Sequence, residues 1–188
     1  MSEELLDSQM KATPADTKAP EEYLPIGWVC VNEISKKVLG GPLFRDHEQH
    51  QDIMKRAHRF RSINQTGLFE LAKDLARLTA DSIDIKILQK IITPPKGEKW
   101  NSLKSLEMVL ATTIGSEASH ELMGPLFGVY EMRQGDAHLP SSDISESFNL
   151  LGIDKVENPV FQGYQLLNRF VTCLYDIAEV FEKMREVR

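Results

Sequence analysis

The sequence predicts an all-α fold, an irregular helical bundle of about five to seven helices with a long C-terminal helix. Apolar residues recur every three or four positions in several separate segments, and Gly or Pro residues stand between these segments. Hydrophobic residues make up 41% of the 188 residues and charged residues 27%, which is typical of a globular protein. We therefore expect one helical domain over residues 23–188.

The first part of the chain divides into a polar tail and an apolar segment. Residues 1–22 are rich in Glu, Asp, Ala, Thr and Pro and poor in large apolar side chains. They bury too little apolar surface to offset the entropy cost of ordering, so we expect a disordered acidic tail or linker. The segment YLPIGWVCVNEI at 23–34 is compatible with a short strand or with the apolar start of a helix. Gly40, Gly41 and Pro42 close this segment.

Three helical patterns follow before the middle of the chain. The first starts at Asp46, a suitable N-cap residue, and places these apolar residues at helical spacing: Ile53, Met54, Ala57, Phe60 and Ile63. The second, over residues 66–81, carries one apolar stripe: Leu68, Leu71, Leu75 and Leu78. The third covers residues 84–92 and ends at Pro94 and Pro95, which cannot continue a helix.

Two further helices precede the central loop of the C-terminal half. Residues 102–115 form a helical pattern that stops at Gly115, a usual C-terminal residue. Another helix is predicted over about residues 119–132, and we expect Pro125 to kink or split it.

The last two helices have clear starting residues. Ser141 or Ser142 is the expected N-cap of a short helix that ends at Gly152. The final helix has Asn158 as its N-cap and Pro159 at its first position. Its wide apolar face is suited to the centre of a bundle and comprises Phe161, Leu167, Phe170, Val171, Leu174, Ile177, Ala178 and Phe181.

The charge and the composition limit the classes of function. A formal net charge of -6 disfavours non-specific binding to nucleic acid, so a polyanion would need a local basic patch. Two cysteines outside any CxxC pair indicate neither a disulfide framework nor a zinc site and favour a reducing cytoplasm. The chain contains neither a secretory signal pattern nor an apolar run of about 18 residues, so we expect a soluble cytoplasmic protein without membrane contact.

Residues 47–61 contain the densest cluster of basic residues and three histidines. The candidate contacts to RNA phosphates are Lys55, Arg56, Arg59 and Arg61, although such a run is also typical of a solvated helix face. His47 and His50 are three positions apart, whereas the zinc-hydrolase pattern requires two histidines four apart with a Glu between them. A metal-dependent enzyme is therefore only a remote hypothesis, and we expect neither a metal nor a cofactor.

The stretch YEMRQGDAHLPSSD at residues 130–143 holds the residues that most suggest chemistry. The imidazole of His138 can move a proton on or off a ribose 2′-hydroxyl or a leaving 5′-oxygen, while the guanidinium of Arg133 holds the phosphate bidentately. Asp136 would orient the imidazole through its second nitrogen, and Gly135 would let the backbone approach a ligand. The alternative is a purely structural role, in which Arg133 caps the carbonyls of the preceding helix while His138 packs in the loop.

The sequence R-Q-G-D-A-H at 133–138 resembles the Arg-x4–6-His signature of the HEPN superfamily, as does its lead-in SLKSLEMVL…HELMGPLFGVYEMRQGDAHL. The resemblance covers roughly residues 65–185 and implies a helical domain. Many members are metal-independent ribonucleases that act as homodimers, with the Arg and His of both copies facing one cleft. The resemblance implies that Arg133 holds phosphate and that His138 is the acid or base. Gln134 stands where the family usually has Asn, Asp or His, but it still offers an amide.

Two hypotheses follow from these residues. The leading hypothesis is a HEPN-like helical domain that acts as a homodimer and a metal-independent endoribonuclease, with RNA or a nucleotide as its ligand. The alternative is a catalytically inactive helical interaction or regulatory module with a protein partner, since other HEPN members are inactive and bind nucleotides or proteins.

Overall fold

The computed structural model describes residues 18–134 and 141–186, apart from the side chains of residues 134 and 141–143. The fold of these residues is all-α, as predicted, and the long C-terminal helix is confirmed. The described residues form eight α-helices: α1 (Pro20–Leu39), α2 (His50–Arg56), α3 (Gln65–Leu78), α4 (Ile85–Leu88), α5 (Ser102–Ile114), α6 (Ser116–Gln134), α7 (Ser141–Leu151) and α8 (Pro159–Glu186). A 3-10 turn at Arg59–Arg61 lies between α2 and α3.

Helix α1 resolves the segment that the sequence left open between strand and helix. It begins at Pro20, three residues before the expected start of the helical domain at residue 23, and ends before Gly40, which has φ of 78°. The strand alternative is wrong because Leu24, Trp28 and Val31 are buried at helical spacing rather than at alternate positions. The indole Nε1 of Trp28 donates to the carbonyl oxygen of Leu78 at 3.0 Å, which fastens α1 to the end of α3.

The helix predicted from Asp46 to Ile63 is much shorter in the structure. Its N-cap is Gln49 rather than Asp46, and α2 ends at Arg56. Phe60 and Ile63, expected on its buried face, are 65% and 73% exposed. The helix stops because His58 adopts an extended conformation with φ of -135° and ψ of 143°. This bend lets arginines on both sides of it reach buried carboxylates, a tertiary effect that apolar spacing does not report.

Other boundaries differ from the sequence prediction in three places. The pattern at 84–92 yields only the four-residue α4. Helix α6 is longer than expected and continues through Pro125. Pro125 and Glu121, whose carbonyl loses its helical partner, both line an open groove, so water can replace the missing hydrogen bond. Phe161, expected on the apolar face of α8, is exposed and stacks on Tyr164.

Helix α8 lies at the centre of the core. It packs along α1 and also contacts α3, α5 and α6. Phe170 and Phe181 of α8 are fully buried. The N-cap prediction is confirmed, because the Asn158 Oδ1 accepts a hydrogen bond from the backbone N–H of Phe161 at 3.0 Å.

Helix α6 carries the motif toward one end of the bundle. It packs against α3, α5 and α7. Its approach to α7 is close, because a Cβ atom at Gly128 would lie 2.7 Å from the Leu151 side chain. The packing of α6 on α3 brings the last turn of α6 to the loop that follows α3.

Within the described ranges, no helix has both the length and the apolar content needed to cross a bilayer.

Candidate functional site

The predicted catalytic residues lie at and beyond the C-terminal end of α6. Arg133 is in the last turn of this helix, and its side chain is 36% exposed. Gln134 ends the helix, but its side chain lies outside the described residues. Asp136 and His138 also lie outside them. The structure therefore places one of the four predicted catalytic side chains, that of Arg133.

The guanidinium of Arg133 is paired with Asp81, which follows α3. Nη1 of Arg133 donates to Oδ1 of Asp81, and the guanidinium carbon lies 5.7 Å from the ring centroid of Tyr130. Both charged side chains are about one-third exposed. Ion pairs at such exposure typically contribute only about 0–1 kcal/mol to stability. An external anion with two or more oxygens can therefore compete with Asp81 for this arginine.

Asp81 lines an open pocket of about 430 Å³, called here the arginine pocket. The residues around it come from the loop before α2 and from the end of α3 and the turn after it: Arg45, Asp46, His47, Gln49, Arg77, Asp81 and Ser82. Its volume lies within the range of small-ligand sites, about 300–1,000 Å³. None of these residues was singled out by the sequence for RNA chemistry.

Side chains of α1 hold the loop that carries Arg45 by hydrogen bonds to its backbone. The buried side chain of Asn32 donates from Nδ2 to the carbonyl oxygen of Phe44 at 3.0 Å and accepts from the N–H of Phe44 at 2.8 Å. The hydroxyl of Ser35 accepts from the N–H of Leu43 at 2.8 Å. These bonds satisfy the buried backbone of the loop and fix the starting point of the Arg45 side chain.

Arg45 is further held by the turn after α3. Its backbone N–H donates to the carbonyl oxygen of Ser82 at 2.8 Å. Its guanidinium donates from Nε to the same oxygen and from Nη2 to the carbonyl oxygen of Asp81, both at 3.3 Å. Arg45 and Arg133 therefore meet at Asp81, one at its main chain and the other at its carboxylate.

The arginine pocket has a local excess of positive charge. Arg77 lines the pocket and reaches Asp74 only at 3.4 Å. Together with Arg133, the pocket arginines number three, against the two carboxylates of Asp46 and Asp81. In a chain with a net charge of -6, such a site favours an anion locally.

His47 lines the same pocket, and the ring of His50 lies behind it, with the two ring centroids 6.1 Å apart. The ring of His50 packs edge-on against Trp28, with ring centroids 4.1 Å apart. Burial lowers the pKa of His50, although the carboxylate of Asp46 acts in the opposite direction. Across the described part of the chain, no group of three or more His, Cys, Asp or Glu residues is arranged to hold a metal ion.

The basic cluster predicted to bind nucleic acid is divided between two buried carboxylates. Arg56 and Arg61 both bind Asp74, whose side chain is 1% exposed. Arg59 binds Glu21 at 2.9 Å, and only Lys55 projects from an exposed position without such a contact among the described residues. Burial raises the pKa of the Asp74 carboxyl, but the arginines outweigh it and the net pKa is lowered.

One sequence signal points to part of this arrangement. Asp74 stands between Leu71 and Leu75 on the predicted helix of residues 66–81. A carboxylate this close to an apolar stripe indicates a buried ion pair, because a buried charge requires a partner. The partners of Asp81 have no comparable signal, because Arg45 and Arg133 are both far from Asp81 in the chain.

Comparisons with protein-family models, curated proteins and solved structures give no match to this chain. The resemblance to the HEPN superfamily therefore depends on the motif at 133–138 and its helical lead-in. The lead-in lies on α5 and α6, and α6 brings Arg133 to Asp81, a residue that lines the arginine pocket.

Proposed function

We propose that this protein is a HEPN-like helical domain that acts on RNA as a homodimeric, metal-independent endoribonuclease. The observation that carries the proposal is the position of Arg133, which is partly exposed at the end of α6 and paired with a carboxylate of the arginine pocket. Guanidinium groups hold phosphate oxygens bidentately and stabilise the charge that develops on them during transfer. The motif supplies the imidazole of His138 five residues later.

In the proposed reaction, the ribose 2′-hydroxyl attacks the adjacent phosphorus and loses its proton to an imidazole. The bond from phosphorus to the 5′-oxygen breaks, and that oxygen receives a proton from a second imidazole. The products are a 2′,3′-cyclic phosphate and a 5′-hydroxyl. One motif offers one imidazole, so a second copy of the chain would supply the other. Arg133 would stabilise the pentacoordinate phosphate between them.

We expect purified protein to cleave mixed RNA in the presence of EDTA, and His138→Ala to lower the rate by about 10²–10⁴-fold. Arg133→Ala should lower the rate as well, because the charge on the transferring phosphate loses its guanidinium. The measurement is the initial rate of cleavage for each variant, with sedimentation to confirm the dimer.

His120→Ala and Arg185→Ala are the matched controls for these two substitutions. Both replaced side chains are substantially exposed, and His120 lies about 20 Å from Arg133 along the same helix. The controls should keep the parental rate. Cleavage that persists unchanged in His138→Ala and Arg133→Ala would remove the proposed site.

The second candidate function is a catalytically inactive helical interaction module. Three exposed apolar side chains of α1 favour it, since Tyr23, Ile26 and Val29 stand three positions apart and face solvent. This candidate predicts that the parent protein neither cleaves nor binds RNA. It also predicts that Ile26→Ser and Val29→Ser change the association state rather than any reaction rate.

A further inference from the structure

We propose that the arginine pocket binds a phosphate group, and that Asp81 is an internal competitor which the phosphate displaces from Arg133. The proposal rests on the proposed function in one respect only, that the phosphate belongs to the backbone of an RNA strand. The binding site itself is independent of cleavage. It is carried by the contacts of Arg45, Arg77 and Asp81.

The arginines of the pocket have donors to spare. The guanidinium of Arg45 donates to two carbonyl oxygens, and within the described residues it meets no carboxylate. Arg77 makes the longest of the three arginine contacts to Asp74, at 3.4 Å. Arg56 and Arg61 both lie closer to that carboxylate. A guanidinium carries five N–H donors, so both side chains can accept further oxygens.

Asp81 already marks the place of a bound anion. Its carboxylate accepts from Arg133 while its carbonyl oxygen accepts from Arg45. Two guanidinium groups thus converge on one residue at the wall of an open pocket. A phosphate group has more acceptor oxygens than a carboxylate, and its pairing with arginine is stronger when bidentate.

Exchange of the two anions is energetically accessible. The pair of Arg133 and Asp81 is about one-third exposed, so solvent screens it and its loss costs little. The displaced Asp81 carboxylate can turn to water. Removal of its charge should therefore strengthen phosphate binding by about two- to fivefold, which corresponds to the upper part of the range for exposed pairs.

The test measures binding to the full chain by titration calorimetry with two probes, pyrophosphate and a 2′-O-methyl oligoribonucleotide that cannot be cleaved. We expect Asp81→Asn to lower the dissociation constant for both probes by about two- to fivefold. Arg45→Ala and Arg77→Ala should each raise it by about tenfold, since each removes a charge-assisted hydrogen bond. Oligonucleotide affinity should fall with salt concentration.

The matched control is Asp176→Asn, which removes the same charge from an exposed carboxylate on α8. It should leave both dissociation constants unchanged. The pocket is ruled out if Asp81→Asn behaves like this control, or if Arg45→Ala and Arg77→Ala both bind like the parent while remaining folded by circular dichroism. Pyrophosphate binding without oligonucleotide binding would overturn the assignment to an RNA backbone in favour of a free nucleotide phosphate.

The outcomes separate this proposal from the nuclease proposal. Phosphate binding that depends on Arg45 and Arg77, in a protein that cleaves no RNA, supports the pocket and contradicts the nuclease. RNA cleavage that depends on His138, together with an Asp81→Asn variant that binds phosphate like the control, supports the nuclease and contradicts the pocket.

Discussion

Asp74→Ala is expected to lower the free energy of unfolding by about 3–5 kcal/mol, the usual cost of removing one partner from a buried ion pair. The side chain of Asp74 is 1% exposed. Its carboxylate accepts hydrogen bonds from Nε of Arg56 at 2.8 Å and from Nη2 of Arg56 at 2.6 Å. Arg61 binds the same carboxylate from beyond the 3-10 turn. Loss of Asp74 leaves these arginines without their anion and frees the segment between α2 and α3.

The effect of Asp74 should depend on pH in a defined direction. Its folded pKa is lowered, because the arginines outweigh the opposing effect of burial. A carboxyl group with a lowered folded pKa stabilises the protein above its unfolded pKa, about 3.9, and loses that contribution as the pH falls toward the folded pKa. The difference between parent and Asp74→Ala should therefore be largest near neutral pH and shrink below about pH 4.

Urea denaturation followed by circular dichroism measures both effects. Glu70→Ala is the control, because Glu70 lies on the same helix but is 40% exposed and pairs with Lys73. This control should change the free energy of unfolding by about 0–1 kcal/mol. An Asp74→Ala variant as stable as the Glu70→Ala variant would mean that the ion pairs of Asp74 with Arg56 and Arg61 do not stabilise the fold.

Gly67→Ala is expected to destabilise the protein by about 1–3 kcal/mol or more, because there is no room for a methyl group at this position. A Cβ atom there would lie 2.0 Å from the carbonyl oxygen of Arg61 and 3.0 Å from its carbonyl carbon. These are backbone atoms, so the overlap cannot be relieved by a side-chain rotation. Asn64 fixes the same turn, since its Oδ1 accepts from the N–H of Gly67 at 2.8 Å.

Gly124→Ala is the matched control, since Gly124 is also a helical glycine. Its added Cβ would lie no closer than 3.7 Å to Leu150, an ordinary contact. Ala is favoured over Gly in a helix interior, so this variant should gain up to about 1 kcal/mol. Thermal unfolding should move in opposite directions for the two variants. A shift in the same direction for both would contradict the close approach of α3 and the 3-10 turn.

The parts of the fold with strong local signals were predictable from sequence. The buried stripe of α3, the end of α5 at Gly115 and the capped start of α8 at Asn158 follow from apolar spacing and from cap chemistry. Residues 46–63 were not predictable in this way. Their apolar spacing suits a helix, but ion pairs to Asp74 and Glu21 favour a bend, and such long-range pairs leave no periodic signal.

The candidate site was only partly predictable for a similar reason. Arg133 stood out because a histidine and an acidic residue follow it closely in the chain. Arg45, Arg77 and Asp81 join it only through tertiary packing, in which Asn32 holds one loop and α3 presents another. Chemistry at a site built from distant segments has no fixed spacing, so sequence patterns identify one of its members at most.

The chemistry of the RNA ends tests the central claim most directly, because it reports which oxygen attacked phosphorus and which phosphorus–oxygen bond broke. RNA cut by the parent protein in EDTA should carry 2′,3′-cyclic phosphate and 5′-hydroxyl ends, and these products should disappear with His138→Ala. Cuts that leave 3′-hydroxyl and 5′-phosphate ends, or that require a divalent cation, would contradict a metal-free reaction at Arg133 and His138.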